Sequence, residues 1–136
     1  MAKFFLRILS PEKQLFAGEA EMLTFNTVGG ELSIMAGHQR SIIPVTEGII
    51  EIKQNGKISE AFGGEGFAEI TPKDTVLLLQ VCEWPEEIDL DRAISDKEKF
   101  EKIMKTLSKS DDDYELSRHA YIRAVNRIKL KARSNK

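Results

Sequence analysis

The chain has a single cysteine, Cys82, so an internal disulfide is excluded and a reducing compartment fits. Its two histidines, His38 and His119, are far apart, and no His, Cys or carboxylate set has metal-ligand spacing, so no zinc is expected. No apolar run approaches the roughly 20 residues of a membrane span. The opening Met1-Ala2-Lys3-Phe4-Phe5-Leu6 has no cleavable signal pattern, and a soluble cytoplasmic protein is expected. Ser41 and Cys82 have no evident base beside them, and a nucleophile needs one. No catalytic residues are therefore expected, and the chain reads as a non-enzyme. A formal net charge of -2 gives no whole-chain argument for nucleic acid.

Proline and glycine disappear altogether after Pro85. That disappearance divides the 136 residues. Before it, short apolar runs alternate with turns. After it, the hydrophobic period changes from about two to about 3.6. Pro85 ends the last strand because it has no N–H to donate and holds Trp84 extended. Asp89 then suits a helix N-cap. The expected organisation is a β domain over 1–84, a hinge over 85–88 and a helical hairpin over 89–136. Charge divides at the same place: 7 Lys and Arg against 11 Asp and Glu before residue 85, and 13 against 11 from there on.

In the first part, strands are expected at Phe4–Leu9, Gln14–Phe16, Ala20–Thr27, Glu31–Met35 and Ser41–Val45. Pro44 confines the last of these to an edge or bulge. Gly48–Gln54 and Lys57–Phe62 flank Asn55-Gly56, a pair that tolerates the positive φ of a two-residue hairpin turn. Gly63, Gly64 and Gly66 allow close backbone approach. Phe67–Ile70 follows, and then Val76–Val81, which is apolar on both faces and so expected at the centre of a sheet. Many short strands with no helix between them make an antiparallel sandwich or barrel. This pattern by itself assigns no function.

In the second part, Leu90, Ala93, Ile94, Phe100, Ile103, Met104 and Leu107 form a stripe on a helix from about Asp89 to Leu107. Ser108–Asp112 is the break. A second helix runs from about Asp112 to Lys131 or a little beyond. Tyr114, Tyr121, Val125 and Ile128 form one stripe on it, and Leu116, Ala120 and Ala124 an adjacent one. Asp111, Asp112, Asp113 and Glu115 open this helix, and Arg118, Arg123, Arg127, Lys129, Lys131, Arg133 and Lys136 follow with no acid among them. Both ends match the helix dipole. Arg92 near the start of the first helix and Arg123 and Arg127 near the end of the second meet in an antiparallel hairpin. Two readings stay open for them: structural pairing with Glu83, Glu87 or Asp89, and anion binding through the guanidinium fork.

The ordered set of segments resembles the epsilon subunit of the bacterial F-type ATP synthase. The segments are Leu9-Ser10-Pro11-Glu12, Leu15-Phe16-Ala17-Gly18-Glu19, Gly30–His38, Gly48–Ile52, Gly66–Ile70, Ile88–Ala93 and Arg123–Ile128. Ser33 and Ala36 depart from the glycine and proline common in that family. The resemblance implies a sandwich of ten strands followed by a helical hairpin, in a non-catalytic rotor (central-stalk) subunit. Its implied partners are the gamma subunit, the c-ring and, through the helices, the alpha/beta hexamer, with no nucleic acid. It implies a place on the cytoplasmic side of the plasma membrane, held there through the complex. It also implies that the helices restrain ATP hydrolysis and that ion flow is linked to ATP synthesis. No cofactor is required, but some members bind regulatory ATP through an Ile/Leu-Asp-x-x-Arg-Ala motif, present here as Ile88, Asp89, Arg92 and Ala93. The ATP-binding set it implies is Glu83, Asp89, Arg92, Arg123 and Arg127. The alternative from another class is a free-standing β-sandwich ligand-binding module.

Overall fold

The computed structural model describes residues 2–134; Met1 and Lys136, the outer ends of the expected domains, lie outside the described residues. The chain forms two compact units, 1–84 and 85–136.

The first unit contains ten strands: β1 (Phe4–Leu9), β2 (Gln14–Ala20), β3 (Met22–Thr27), β4 (Gly30–Ile34), β5 (Ser41–Val45), β6 (Gly48–Gln54), β7 (Lys57–Gly63), β8 (Gly66–Ile70), β9 (Asp74–Leu79) and β10 (Cys82–Glu83). They make two five-stranded sheets, ordered β2-β1-β9-β8-β5 and β10-β7-β6-β3-β4. All pairings are antiparallel except β1 with β9, which run parallel with Leu6 opposite Thr75 and Ile8 opposite Leu77. Side chains alternate faces along a strand. Leu6, Ile8, Ala68, Ile70 and Leu77 of one sheet and Leu23, Phe25, Ile34, Ile50 and Ile52 of the other therefore close one core.

Several expectations hold in detail. Asn55 and Gly56 both have positive φ, at 51° and 78°, in a two-residue turn between the paired Gln54 and Lys57. Pro44 lies on β5, an edge strand that pairs only with β8. The apolar strand β9 is central in its sheet. The expected strand Ala20–Thr27 is in fact two strands. Ala20 ends β2 in one sheet and Met22 begins β3 in the other, with Glu21 at the corner between them. Glu21 is buried, and its carboxylate accepts the Gly56 N–H at 3.0 Å, while its own N–H donates to the Lys53 carbonyl at 2.8 Å. The corner therefore takes its partners from a turn more than thirty residues away (Glu21 to Gly56), which local periodicity does not encode. Ser33, one of the two departures from the resembled family's pattern, has its hydroxyl 2.8 Å from that of its cross-strand partner Thr24.

The second unit opens on a single 3-10 turn, Pro85–Glu87. It continues as α1 (Leu90–Thr106) and α2 (Asp112–Ser134). A five-residue connection and extensive contact between the two make them an antiparallel hairpin. Of the expected stripe Leu116, Ala120 and Ala124 on α2, Ala124 is buried as expected but Leu116 is exposed, and Ser117 and Leu130 are buried besides. The covered face of α2 thus runs through Ser117 and Ala124, two turns apart, and the larger leucine beside Ser117 is left outside. Neither helix is long and apolar enough to cross a membrane.

Gly66 faces Leu79 in the β8–β9 ladder, and a Cβ there would collide with the Leu78 carbonyl. A Cβ at Gly18 meets only ordinary contacts, at 3.5 Å from Phe16. In urea unfolding, Gly66→Ala is expected to lose about 2–3 kcal/mol, and Gly18→Ala to stay within about 0.5 kcal/mol of the parent chain. Equal midpoints for the two variants would contradict this packing.

Candidate docking face and hairpin site

The sandwich core uses one face of β9. Its other face is uncovered. Thr75, Leu77 and Leu79 point inward and are buried, whereas Leu78 is 47% exposed. The register carries this exposure across the sheet. Pro44 pairs with Phe67, Phe67 with Leu78, and Leu78 with Leu9, so one cross-strand row is wholly apolar over four strands. Phe67 is 55% exposed. The row borders a cleft of about 920 Å³, rimmed by Pro11 and the fully displayed Val28, with Glu12, Lys13, Glu65 and Gln80 as its polar edge. The next row, Arg7, Val76, Glu69 and Ile42, mixes charged and apolar side chains. An apolar floor with a polar rim is the anatomy of a protein-docking surface. Sequence reading ascribed the two-faced apolarity of β9 to its central place. The signal it missed was that Leu9, Phe67 and Pro44 fall in register with Leu78.

The proposed ATP-binding residues occupy separate places. Glu83 ends β10 in the sandwich, opposite Phe62. Asp89 is the N-cap of α1: its backbone is extended at φ -83° and ψ 99°, and its carboxylate accepts the Arg92 N–H at 3.1 Å. This satisfies one of the donors that a helix start leaves unpaired. The Asp-x-x-Arg spacing is thus a capping turn, whatever else it does. The Arg92 side chain is 80% exposed and reaches no closer than 4.0 Å to Asp96, one turn along. A contact so open to water contributes little.

Arg123 and Arg127 lie one turn apart on α2 and are half-buried. Arg92 lies in the first turn of α1, and both arginines of α2 lie in the half of that helix away from the connection. At the far end of the hairpin the Lys131 Nζ donates to the Pro85 carbonyl at 2.9 Å, so the last turns of α2 lie beside the start of the unit. Arg92, Arg123 and Arg127 therefore belong to the same half of the hairpin, the half away from its connection. Lys131 was overlooked in the sequence because it read as one of many basic residues in the last turns of α2.

Known proteins agree with this architecture. The family described as "ATP synthase, Delta/Epsilon chain, beta-sandwich domain" matches residues 3–85. The ATP synthase epsilon chain of Caldicellulosiruptor bescii is 41% identical over 136 residues, covering 100% of this chain and 98% of that protein. The protein belongs to the ATP synthase epsilon-chain family. The epsilon chain of Ruminiclostridium cellulolyticum is 40% identical over 129 residues, covering 94% of this chain and 95% of that one. Among solved structures, a chain of the mitochondrial ATP synthase of Euglena gracilis superposes with a TM-score of 0.71 at 17% identity, over 100% of this chain and 83% of that chain. At that identity the likeness concerns the fold. Epsilon chains are non-catalytic subunits, in keeping with a chain for which no nucleophile–base pair was expected.

The cap can be tested apart from any ligand. Asp89→Ala is expected to cost about 1 kcal/mol of hairpin stability, and Asp89→Asn much less, since Asn caps nearly as well. Hydrogen exchange at the Arg92 amide would report this. An Ala variant that exchanges no faster than the parent would remove the capping role.

Proposed function

We propose that this chain is the rotor (central-stalk) epsilon subunit of its ATP synthase, seated by the apolar row of its first sheet against the gamma subunit and, elsewhere on the sandwich, against the c-ring. The observation that carries the reading is the uncovered row Leu9, Leu78, Phe67 and Pro44 with its cleft. Such a face at the centre of a sheet is costly to leave in water, at about 25 cal/mol per Å² of apolar surface. Family membership indicates the partner. A solved structure of this fold, from Tetrahymena thermophila, is titled as the central stalk and c-ring of a mitochondrial ATP synthase, at a TM-score of 0.59. The sandwich then transmits torque and ties ion flow to ATP synthesis without doing chemistry. The complex holds the chain at the cytoplasmic side of the plasma membrane. The hairpin is the arm that restrains ATP hydrolysis within the alpha/beta hexamer, and the uninterrupted basic run from Arg118 onward suits an acidic surface there.

A second role is favoured by the place of Arg92, Arg123 and Arg127 in the same half of the hairpin. We propose that these arginines take the phosphates of regulatory ATP on the folded hairpin. Binding only that state, ATP would raise its population and relieve inhibition.

Two experiments test these readings. Phe67→Asp is expected to weaken binding of the chain to its gamma subunit at least about 100-fold in calorimetry, the scale of a buried aromatic anchor, with the urea midpoint unchanged because the side chain lies outside the core. Unaltered affinity would exclude this face as the seat. For the nucleotide, amide NMR shifts of α2 should saturate with MgATP below about 10 mM and vanish in Arg123→Ala. A flat titration would leave the motif as a cap alone.

A further inference from the structure

The two helices of the hairpin are unequal. α1 has 17 residues and α2 has 23. At about 1.5 Å per residue, α2 overhangs its partner by roughly 9 Å. The overhang does not end in empty space. It lies along the 3-10 turn Pro85–Glu87 that leads the chain into α1. Leu130, at the start of the overhang, is fully buried, and so are Pro85 and Ile88 in the lead-in. Beside them, the partly buried Lys131 ammonium donates to the Pro85 carbonyl at 2.9 Å. That carbonyl also accepts the Ile88 N–H, at 3.2 Å. Pro85 therefore anchors both its own turn and the far end of the hairpin.

We infer that Lys131 is a latch: its charged hydrogen bond to the Pro85 carbonyl holds the end of α2 on the lead-in turn and keeps the two helices folded together. Hydrogen bonds from a charged donor are the stronger kind, and this one is part-buried. Its position gives it leverage, because it lies at the open end of the hairpin, farthest from the connection that already holds α1 and α2 together. Separation of the helices must begin at this end. The bond is between a side chain and the backbone, so only the identity of residue 131 is required. An ammonium on a long stem reaches the carbonyl, and neighbouring Lys129, which is exposed, marks how an ordinary lysine of this helix behaves. The consequence for the enzyme, that this latch sets how readily the arm unfolds toward the hexamer, rests on the reading of the hairpin proposed above. The latch itself concerns this unit alone.

The test uses the full chain without partners, so failure of the rotor reading leaves it unaffected. Native-state hydrogen exchange by NMR is compared for the parent chain, Lys131→Met, Lys131→Arg and Lys129→Met. Lys131→Met keeps the apolar stem but has no donor. It is expected to speed exchange at Ile88 and over residues 129–134 by about five- to tenfold, while Leu77 in the sandwich core stays as protected as before. Lys131→Arg retains donors and is expected to stay within about twofold of the parent, as is Lys129→Met. Parent-like rates in Lys131→Met would overturn the proposal. So would equal acceleration in Lys131→Met and Lys131→Arg with the sandwich still protected, since the donor would then be irrelevant.

Discussion

The sandwich depends on β9. It joins the two halves of the first sheet, β2-β1 on one side and β8-β5 on the other. Its parallel pairing with β1 links strands separated by most of the domain, an expensive closure that nothing local rewards until the core forms. The inward side chains of β9 fill that core. Its outward side chains meet nothing within the sandwich's own core. One strand therefore meets two demands, internal stability and external adhesion, and alternation of side chains along a strand lets it meet both without conflict.

The same economy recurs in the hairpin. Asp89 ends the lead-in and starts α1 with one carboxylate. α2 carries its acids at the start and its bases toward the end, so its charges suit the helix dipole at both ends. Two amphipathic helices of this size bury little by themselves. Their ends matter correspondingly more: the capping turn at Asp89, the Ser108–Asp111 connection, and the contact of Lys131 with Pro85.

Much of this was legible in the chain. The loss of glycine and proline after Pro85 located the change from strands to helices. Asn55-Gly56 specified its turn through the need for positive φ, and Pro44 its edge position through its missing N–H. The capping turn at Asp89 followed from residue type and spacing. The corner at Glu21 was not legible, because its partners, Gly56 and Lys53, are distant in sequence. Nor was the exposure of Leu116 on α2: periodicity selects a stripe, but which of its members are covered depends on what packs there.

The sequence alone determined the kinds of element and their order, since φ preferences, missing donors and side-chain period act over a few residues. It also carried the family likeness, which lies in the order of short segments. Tertiary structure decided what those elements expose. The register that aligns Leu9, Leu78, Phe67 and Pro44 into one apolar row is set by hydrogen bonding between four strands. The meeting of Lys131 with Pro85 is set by the difference in length of two packed helices. Both are relations between residues far apart in the chain, and only folding brings such residues within the few ångströms over which contacts act.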